Sequence, residues 1–200
     1  MKKTRKIISL LLSILMIITT ISALSITSAA AYYESEPNDS ISTADSISTN
    51  STVYGVSNTG SDYDYYKFSL SSQGYITITM NHAQLDSGYW YVYLYDTNGN
   101  QMYYWKFNAS YASNSTEKIG LPAGTYYVNI ECGSYVKGVD YNLKVNYTKT
   151  NYWETESNDS RTKADNISVN TTYYGVSNTG SDYDYYKFSL SSQGYITITM

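Results

Sequence analysis

Cysteine occurs once, at Cys132, and histidine once, at His82. A single cysteine permits no internal disulfide and no thiolate metal site. A single histidine nearly excludes a His-based catalytic triad or a multi-histidine zinc site within these residues. Helical periodicity is lacking too: apart from a short turn around Ser40 to Ser46, no segment places its apolar residues at helical spacing. A run long enough to cross a bilayer is found only at the N-terminus, and positive charge is scarce beyond that end.

Lys2, Lys3, Arg5 and Lys6 precede an apolar run from Ile7 to about Ile26, and Ser28-Ala29-Ala30-Ala31 follows. A basic start, an apolar middle and an A-x-A site predict a secretory signal peptide over residues 1–31, cleaved after Ala31. The alternative is an uncleaved anchor, which the Ser and Thr residues within the run disfavour. Cleavage removes four of the 13 basic residues and none of the 17 acidic ones, which leaves nine against 17, a net −8. So acidic a chain is a poor partner for nucleic acid and a reasonable one for cations. It has no membrane span once the signal is gone, and its expected place is outside the cell or on its surface. An exported protein without disulfides needs another source of stability, and a bound ion is one.

Residues 54–80 recur letter for letter as residues 174–200, and the similarity extends back to Glu34 and Glu154 with the same offset of 120. That period is too long for a solenoid and suits tandem domains. The expected layout is a first domain over 32–150 and the opening part of a second copy over 151–200. The second copy's segment is not expected to fold alone, because its strands would lack sheet partners.

Five stretches alternate with a period of two, the mark of half-buried strands. Tyr66, Phe68 and Leu70 share one face, as do Ile76, Ile78 and Met80. Trp90, Val92 and Leu94 alternate with Tyr89, Tyr91, Tyr93 and Tyr95. Two later sets are Tyr126, Val128, Ile130 and Tyr141, Leu143, Val145, Tyr147. Asn98-Gly99 lies between two aromatic runs and tolerates positive φ, a hairpin signal. Several short antiparallel strands in one domain predict an all-β sandwich.

The stretch 34-ESEPNDS-40 returns as 154-ETESNDS-160. In extended chain Glu34 and Glu36 share a face, with Asn38 beside them and Asp39 on the adjoining turn. Asp62 and Asp64 form a second pair two residues apart, just before the strand at Tyr66. Like charges this close repel unless a cation lies between them. Calcium takes six to eight oxygens from carboxylates, amides and carbonyls, whereas zinc and copper want His or Cys. Glu154, Glu156, Asn158, Asp159, Asp182 and Asp184 keep all six identities in the second copy, although Pro37 becomes Ser157 and Ile41 becomes Arg161. The competing reading is a pair of solvated acidic turns. An EF-hand loop is excluded, because counting from Asp62 puts Tyr66 at its fifth position and Gln73 at its twelfth.

In order along the chain, ESEPNDSISTAD, DYDYYKFSL, YVYLYDTNGNQ, LPAGTYYVNI and YNLKV resemble the bacterial pre-peptidase C-terminal domain, whose group includes the collagen-binding domains of clostridial collagenases. The resemblance covers Glu34 to about Tyr147 and the start of the second copy. It implies a jelly-roll-like antiparallel β-sandwich of a secreted, non-catalytic module, with calcium as its ion. By the family's pattern Glu34, Glu36, Asn38, Asp39, Asp62 and Asp64 match ligand positions. The family usually follows a peptidase domain, whereas here the first copy directly follows the signal peptide.

Tyrosine is abundant, with 26 residues. An outward stripe of Tyr89, Tyr91, Tyr93 and Tyr95 on a flat sheet makes a platform for a protein fibre or a polysaccharide, since the ring is apolar and the hydroxyl is a polar handle. Tyrosine also favours strands for its own sake, so the stripe has a purely structural reading as well. Lys106 and Lys137 are expected on solvated surface. An enzyme within these residues is not expected, since the carboxylate pairs sit in a linker and a turn with no cleft around them. Two readings remain: a secreted calcium-ordered binding or spacer module, or the accessory region of a hydrolase whose catalytic domain lies beyond residue 200.

Overall fold

The computed structural model of the chain describes residues 31–134 and 136–200. The expected signal peptide lies outside the described residues, apart from Ala31. In chain order the first strands are β1 (Tyr32–Tyr33), β2 (Asp45–Ser46), β3 (Thr52–Val56), β4 (Tyr63–Leu70), β5 (Gly74–His82) and β6 (Tyr89–Tyr95). They are followed by β7 (Gln101–Asn108), β8 (Ser113–Ser115), β9 (Ile119–Leu121), β10 (Gly124–Cys132) and β11 (Asp140–Lys149). No helix among the described residues is long and apolar enough to cross a membrane.

Two sheets form an all-β sandwich. One runs β1-β3-β11-β5-β8, with β9 also on β5, and the other runs β2-β4-β10-β6-β7. The long pairings are antiparallel, such as Leu143 opposite Met80 and Val128 opposite Tyr66. Period-two alternation turns the apolar residues of both sheets inward. Tyr66, Phe68, Ile76, Ile78, Met80, Trp90, Val92, Leu94, Val128, Ile130, Leu143 and Val145 are all buried in one cluster. The Asn98-Gly99 hairpin is present: Gly99 has φ of 79°, and Asp96 caps the turn by accepting from the Asn98 and Asn100 amides at 2.8 Å. His82 belongs to the core, its ring 4.2 Å from that of Trp90 and its Nδ1 2.8 Å from the Ala83 carbonyl. The Cys132 thiol is partly buried, which pushes its pKa up and makes it a weak nucleophile.

Only β1–β3 and β2–β4 among these pairings are parallel. Both lie at sheet edges, one on each sheet. The opening segment therefore crosses from the edge of one sheet to the edge of the other, and residues 34–39 lie in the crossing. There they have no continuous ladder, so backbone and side chains are free to make other bonds.

Beyond residue 150 the strands are two residues long, β12 (Asp165–Asn166) and β13 (Tyr186–Lys187), paired in parallel like β2 and β4. Counterparts of β10 and β11 are not among the 200 residues. Residues 174–200, identical in sequence to 54–80, consequently have no long ladders, and Ile196 and Ile198 are exposed where Ile76 and Ile78 are buried.

Candidate metal centre and aromatic face

The crossing of the opening segment brings its acidic residues to the end of β4. β4 starts at Tyr63, earlier than the alternation around Tyr66 indicates, so Asp64 is not in the preceding turn as expected but on the strand. It lies on the same side as Tyr66 and is fully buried. Glu34, Glu36 and Asp64 can each bring an oxygen within 4.8 Å of the others, and so can Glu36, Asp39 and Asp62. Glu36 belongs to both groups, so the two motifs meet in one place.

Each acidic side chain has a defined seat. Glu34 accepts from the Val56 amide at 2.6 Å and from the Tyr66 hydroxyl. Tyr66 and Tyr141 hydroxyls lie 2.7 Å apart, and Tyr141 donates to Asp64, which also accepts from Ser57 at 3.0 Å. Glu36 accepts from the Asn38 amide at 3.2 Å, Asp39 from the Tyr63 amide at 3.3 Å and Asp62 from the Asn58 amide at 2.5 Å. Gly55 makes the packing possible, since a Cβ there would collide with the Glu34 carboxylate, the Tyr66 hydroxyl and the Tyr141 ring. Neither this glycine nor the two buried tyrosines stand out in the sequence as site residues; their roles depend on pairing across the sandwich.

The run from Glu34 through Tyr66 and Tyr141 to Asp64 has three oxygen–oxygen contacts but only two hydroxyl protons to fill them. One more proton, on a carboxyl, is needed for all three to be hydrogen bonds. Burial pushes the Asp64 carboxyl up to about 7, against the Tyr141 hydrogen bond, which favours the ionised form. Burial also raises Glu34 and Glu36. Asn38 is fully buried, yet its amide oxygen and nitrogen both lack partners, as does Asp64 Oδ1.

The second copy repeats four of these seats. Val176 N donates to Glu154 at 2.5 Å and the Tyr186 hydroxyl donates to it at 2.6 Å. The Tyr183 amide donates to Asp159 at 3.3 Å and the Asn178 amide to Asp182 at 2.5 Å. Glu154, Glu156 and Asp184 converge within 4.8 Å; Asp159 and Asp182 are not part of that triad. Asn158 is fully buried with both polar atoms unpartnered, and Glu156 Oε1 is unpartnered too. Burial, then the Asp182 charge, pushes Glu156 up to about 8.

On the other flank, Tyr89, Tyr91, Tyr93 and Tyr95 do point outward from β6, each partly exposed. Tyr104 of β7 joins them, its ring 5.7 Å from Tyr91 and 5.2 Å from Tyr93, and Tyr65 of β4 lies 6.0 Å from Tyr95. Sequence reasoning misses both because they come from other strands. Lys106 is exposed but not merely solvated: its ammonium sits 3.5 Å from the Tyr89 ring centroid. Lys137 is exposed, as expected.

Residues 62–131 match the family model of the bacterial pre-peptidase C-terminal domain, which bears out the resemblance over the stretch carrying Asp62, Asp64 and the tyrosine stripe. Among solved structures, the pre-peptidase C-terminal domain of a Bacillus anthracis collagenase is similar at 24% identity, over 51% of this chain and 93% of that one, with a TM-score of 0.42. A Streptococcus pneumoniae fucose-binding module is similar at 18% identity over 50% of this chain and 71% of that one, with a TM-score of 0.31. A family 35 carbohydrate-binding module from an environmental isolate is similar at 15% identity over 51% and 74%, with a TM-score of 0.32.

Proposed function

We propose that a chain whose residues 62–131 match the pre-peptidase C-terminal domain works as a secreted, non-catalytic β-sandwich module. In this reading calcium orders the opening segment, and the tyrosine face holds an extracellular polymer, a protein fibre or a polysaccharide. Residues 32–150 form one complete copy and 151–200 the opening of the next.

The observation that carries the calcium reading is Asn38. A fully buried amide with neither polar atom paired costs on the order of 1–3 kcal/mol per lost partner. Converging carboxylates beside it add repulsion. A hard cation relieves the orphaned oxygen and the repulsion, because it takes the amide oxygen as a ligand and neutralises the carboxylates. Glu34, Glu36, Asn38, Asp39, Asp62 and Asp64 would hold it in the first copy. Glu154, Glu156, Asn158, Asp159, Asp182 and Asp184 offer the same oxygens in the second. The protein's own contribution is orientation: Val56 N and the Tyr66 hydroxyl fix Glu34, while Ser57 and Tyr141 fix Asp64.

Thermal unfolding with millimolar calcium and then with chelator tests this. A hundredfold excess over Kd stabilises by about 3 kcal/mol, or several degrees in midpoint. The first-copy part of that rise is expected to vanish in Asp62→Asn/Asp64→Asn. A midpoint indifferent to calcium would reduce both motifs to acidic turns.

A further inference from the structure

Strand β10 runs through the middle of the tyrosine-bearing sheet, between β4 and β6. Its Val128 and Ile130 are buried in the core, so Tyr127, Asn129 and Glu131 take the outward positions among the tyrosines. Asn129 lies opposite Tyr65 of β4 and Tyr93 of β6, and Glu131 lies opposite Tyr63 and Tyr91. Yet Asn129 is fully buried. An outward side chain loses all contact with water only when its neighbours lean over it, and here those neighbours are aromatic. Beneath them Asn129 Nδ2 donates to Glu131 Oε1 at 2.9 Å, which leaves the buried amide oxygen without a partner.

The floor of the aromatic face thus consists of acceptors and carries a negative charge. Three of the rings feel that charge. Burial, then the Glu131 carboxylate, pushes the Tyr93 hydroxyl up to about 12. Tyr91 is raised by its bond to Tyr89 and Tyr65 by burial, with the Glu131 charge adding to both. Neither lysine of this face answers it. Lys106 rests over the Tyr89 ring, 3.5 Å from the centroid, and Tyr91 separates it from Glu131 in the ladder. Lys67 lies opposite Tyr127, two outward rows or about 13 Å along the strand from Glu131. The Lys106 contact also shows that an ammonium settles on these rings.

From this arrangement we propose that Glu131, with Tyr65, Tyr91 and Tyr93 around it, forms a cage for the charged group of a lysine or arginine side chain. The polymer on this face is then a protein fibre, held through its basic residues. The cage presupposes that the tyrosine face is a binding surface, as proposed above, and adds what that face selects. The rings attract a cation through their π faces, and the carboxylate beneath supplies the opposite charge. Tyr65 and Tyr93 stand on the strands either side of β10, about 10 Å apart at the backbone, so parting their rings opens a slot for one side chain. A group in that slot brings N–H donors to Glu131 and to the free Asn129 oxygen. A neutral sugar hydroxyl can donate there too, but only a cation offsets the carboxylate charge.

Calorimetric titration of the full chain with decalysine, and with the same peptide acetylated on every side-chain amine, tests the cage at low salt. Acetylation is expected to weaken binding at least tenfold. Glu131→Gln keeps the acceptor for Asn129 and removes only the charge; it is expected to weaken decalysine at least fivefold with the unfolding midpoint unmoved. Glu117→Gln makes the same charge change at an exposed position between β8 and β9 and is expected to leave the affinity unchanged. Equal affinities in both variants, whether weakened or not, would overturn the cage. Sedimentation with insoluble collagen, native or amine-acetylated, and with chitosan separates the sources of the amine. Native collagen is expected to retain several times more chain than either of the others, and preference for chitosan would overturn the fibre. Dimerisation of the chain that Glu131→Gln abolishes would overturn it too, by giving the cage to a second copy. If Tyr91→Ala loses collagen and Glu131→Gln does not, the cage falls while the tyrosine face stands. Full retention in both variants would instead remove the face itself.

Discussion

Glu36 and Glu156 occupy equivalent positions in two nearly identical sequences, yet one is exposed and the other is 8% exposed. Asp64 and Asp184 are mismatched in the opposite sense: Asp64 is fully buried and Asp184 exposed. Several local seats are the same in both copies, among them the hydrogen bonds at Val56 and Val176 and the positive φ of Asn50 and Asn170. The surroundings differ. Asp64 is covered by Tyr141 of β11, whose counterpart is not among the 200 residues, while Glu156 is covered by the side of the first. Sequence-local bonds therefore set the shape of the opening segment, and remote strands set how much water each carboxylate keeps.

Tyr141→Phe should break this contrast most strongly. It removes one of the two donors to the buried Asp64 Oδ2 and leaves Ser57 as its remaining donor, at a cost of about 2 kcal/mol to the first copy in chelator. Urea unfolding followed through the first copy's tryptophans checks it, and a change below about 0.5 kcal/mol would show that Asp64 does not depend on this hydroxyl.

A pH series sharpens the contrast. Asp64 is pushed up to about 7 and Glu156 up to about 8, both chiefly by burial. The folded state thus binds more protons than the unfolded one between the ordinary carboxylate range and these values. In chelator, stability is greatest near pH 4 and declines as pH rises through about 7 and 8. Calcium should flatten or reverse that decline, because its ligands must be ionised. Unfolding midpoints from pH 4 to 9, with and without calcium, decide it. A chelated protein that grows more stable on going from pH 5 to 8 would contradict the assignment.

The smallest expected change in stability concerns the other face. Tyr91→Ala removes a ring that contacts Tyr89, Tyr93 and Tyr104, worth about 1 kcal/mol of aromatic pairing. Sedimentation with insoluble collagen or polysaccharide is expected to lose the bound fraction in this variant. Undiminished retention would move the binding surface elsewhere.

Much was legible in advance wherever the signal was short-ranged. Alternation over Trp90, Val92 and Leu94 named the inward face of β6 and, by the same pleat, the outward tyrosines. Residue types alone selected oxygen ligands over sulfur and nitrogen, and the repeat marked six acidic or amide positions twice. Such signals survive in sequence because a strand's period and a ligand's chemistry are properties of a few adjacent residues. The meeting of Glu34 with Asp64 is of another kind. It depends on β1 and β2 closing opposite sheet edges, and on β11 carrying Tyr141 across the sandwich from far along the chain. Tyr104, Gly55 and the hold of Gly120 on residues 154–156 likewise come from pairings between segments distant in sequence. No local periodicity encodes which strands become neighbours, because burial of the whole core decides it; only the tertiary structure determined where the charges gather and what covers them.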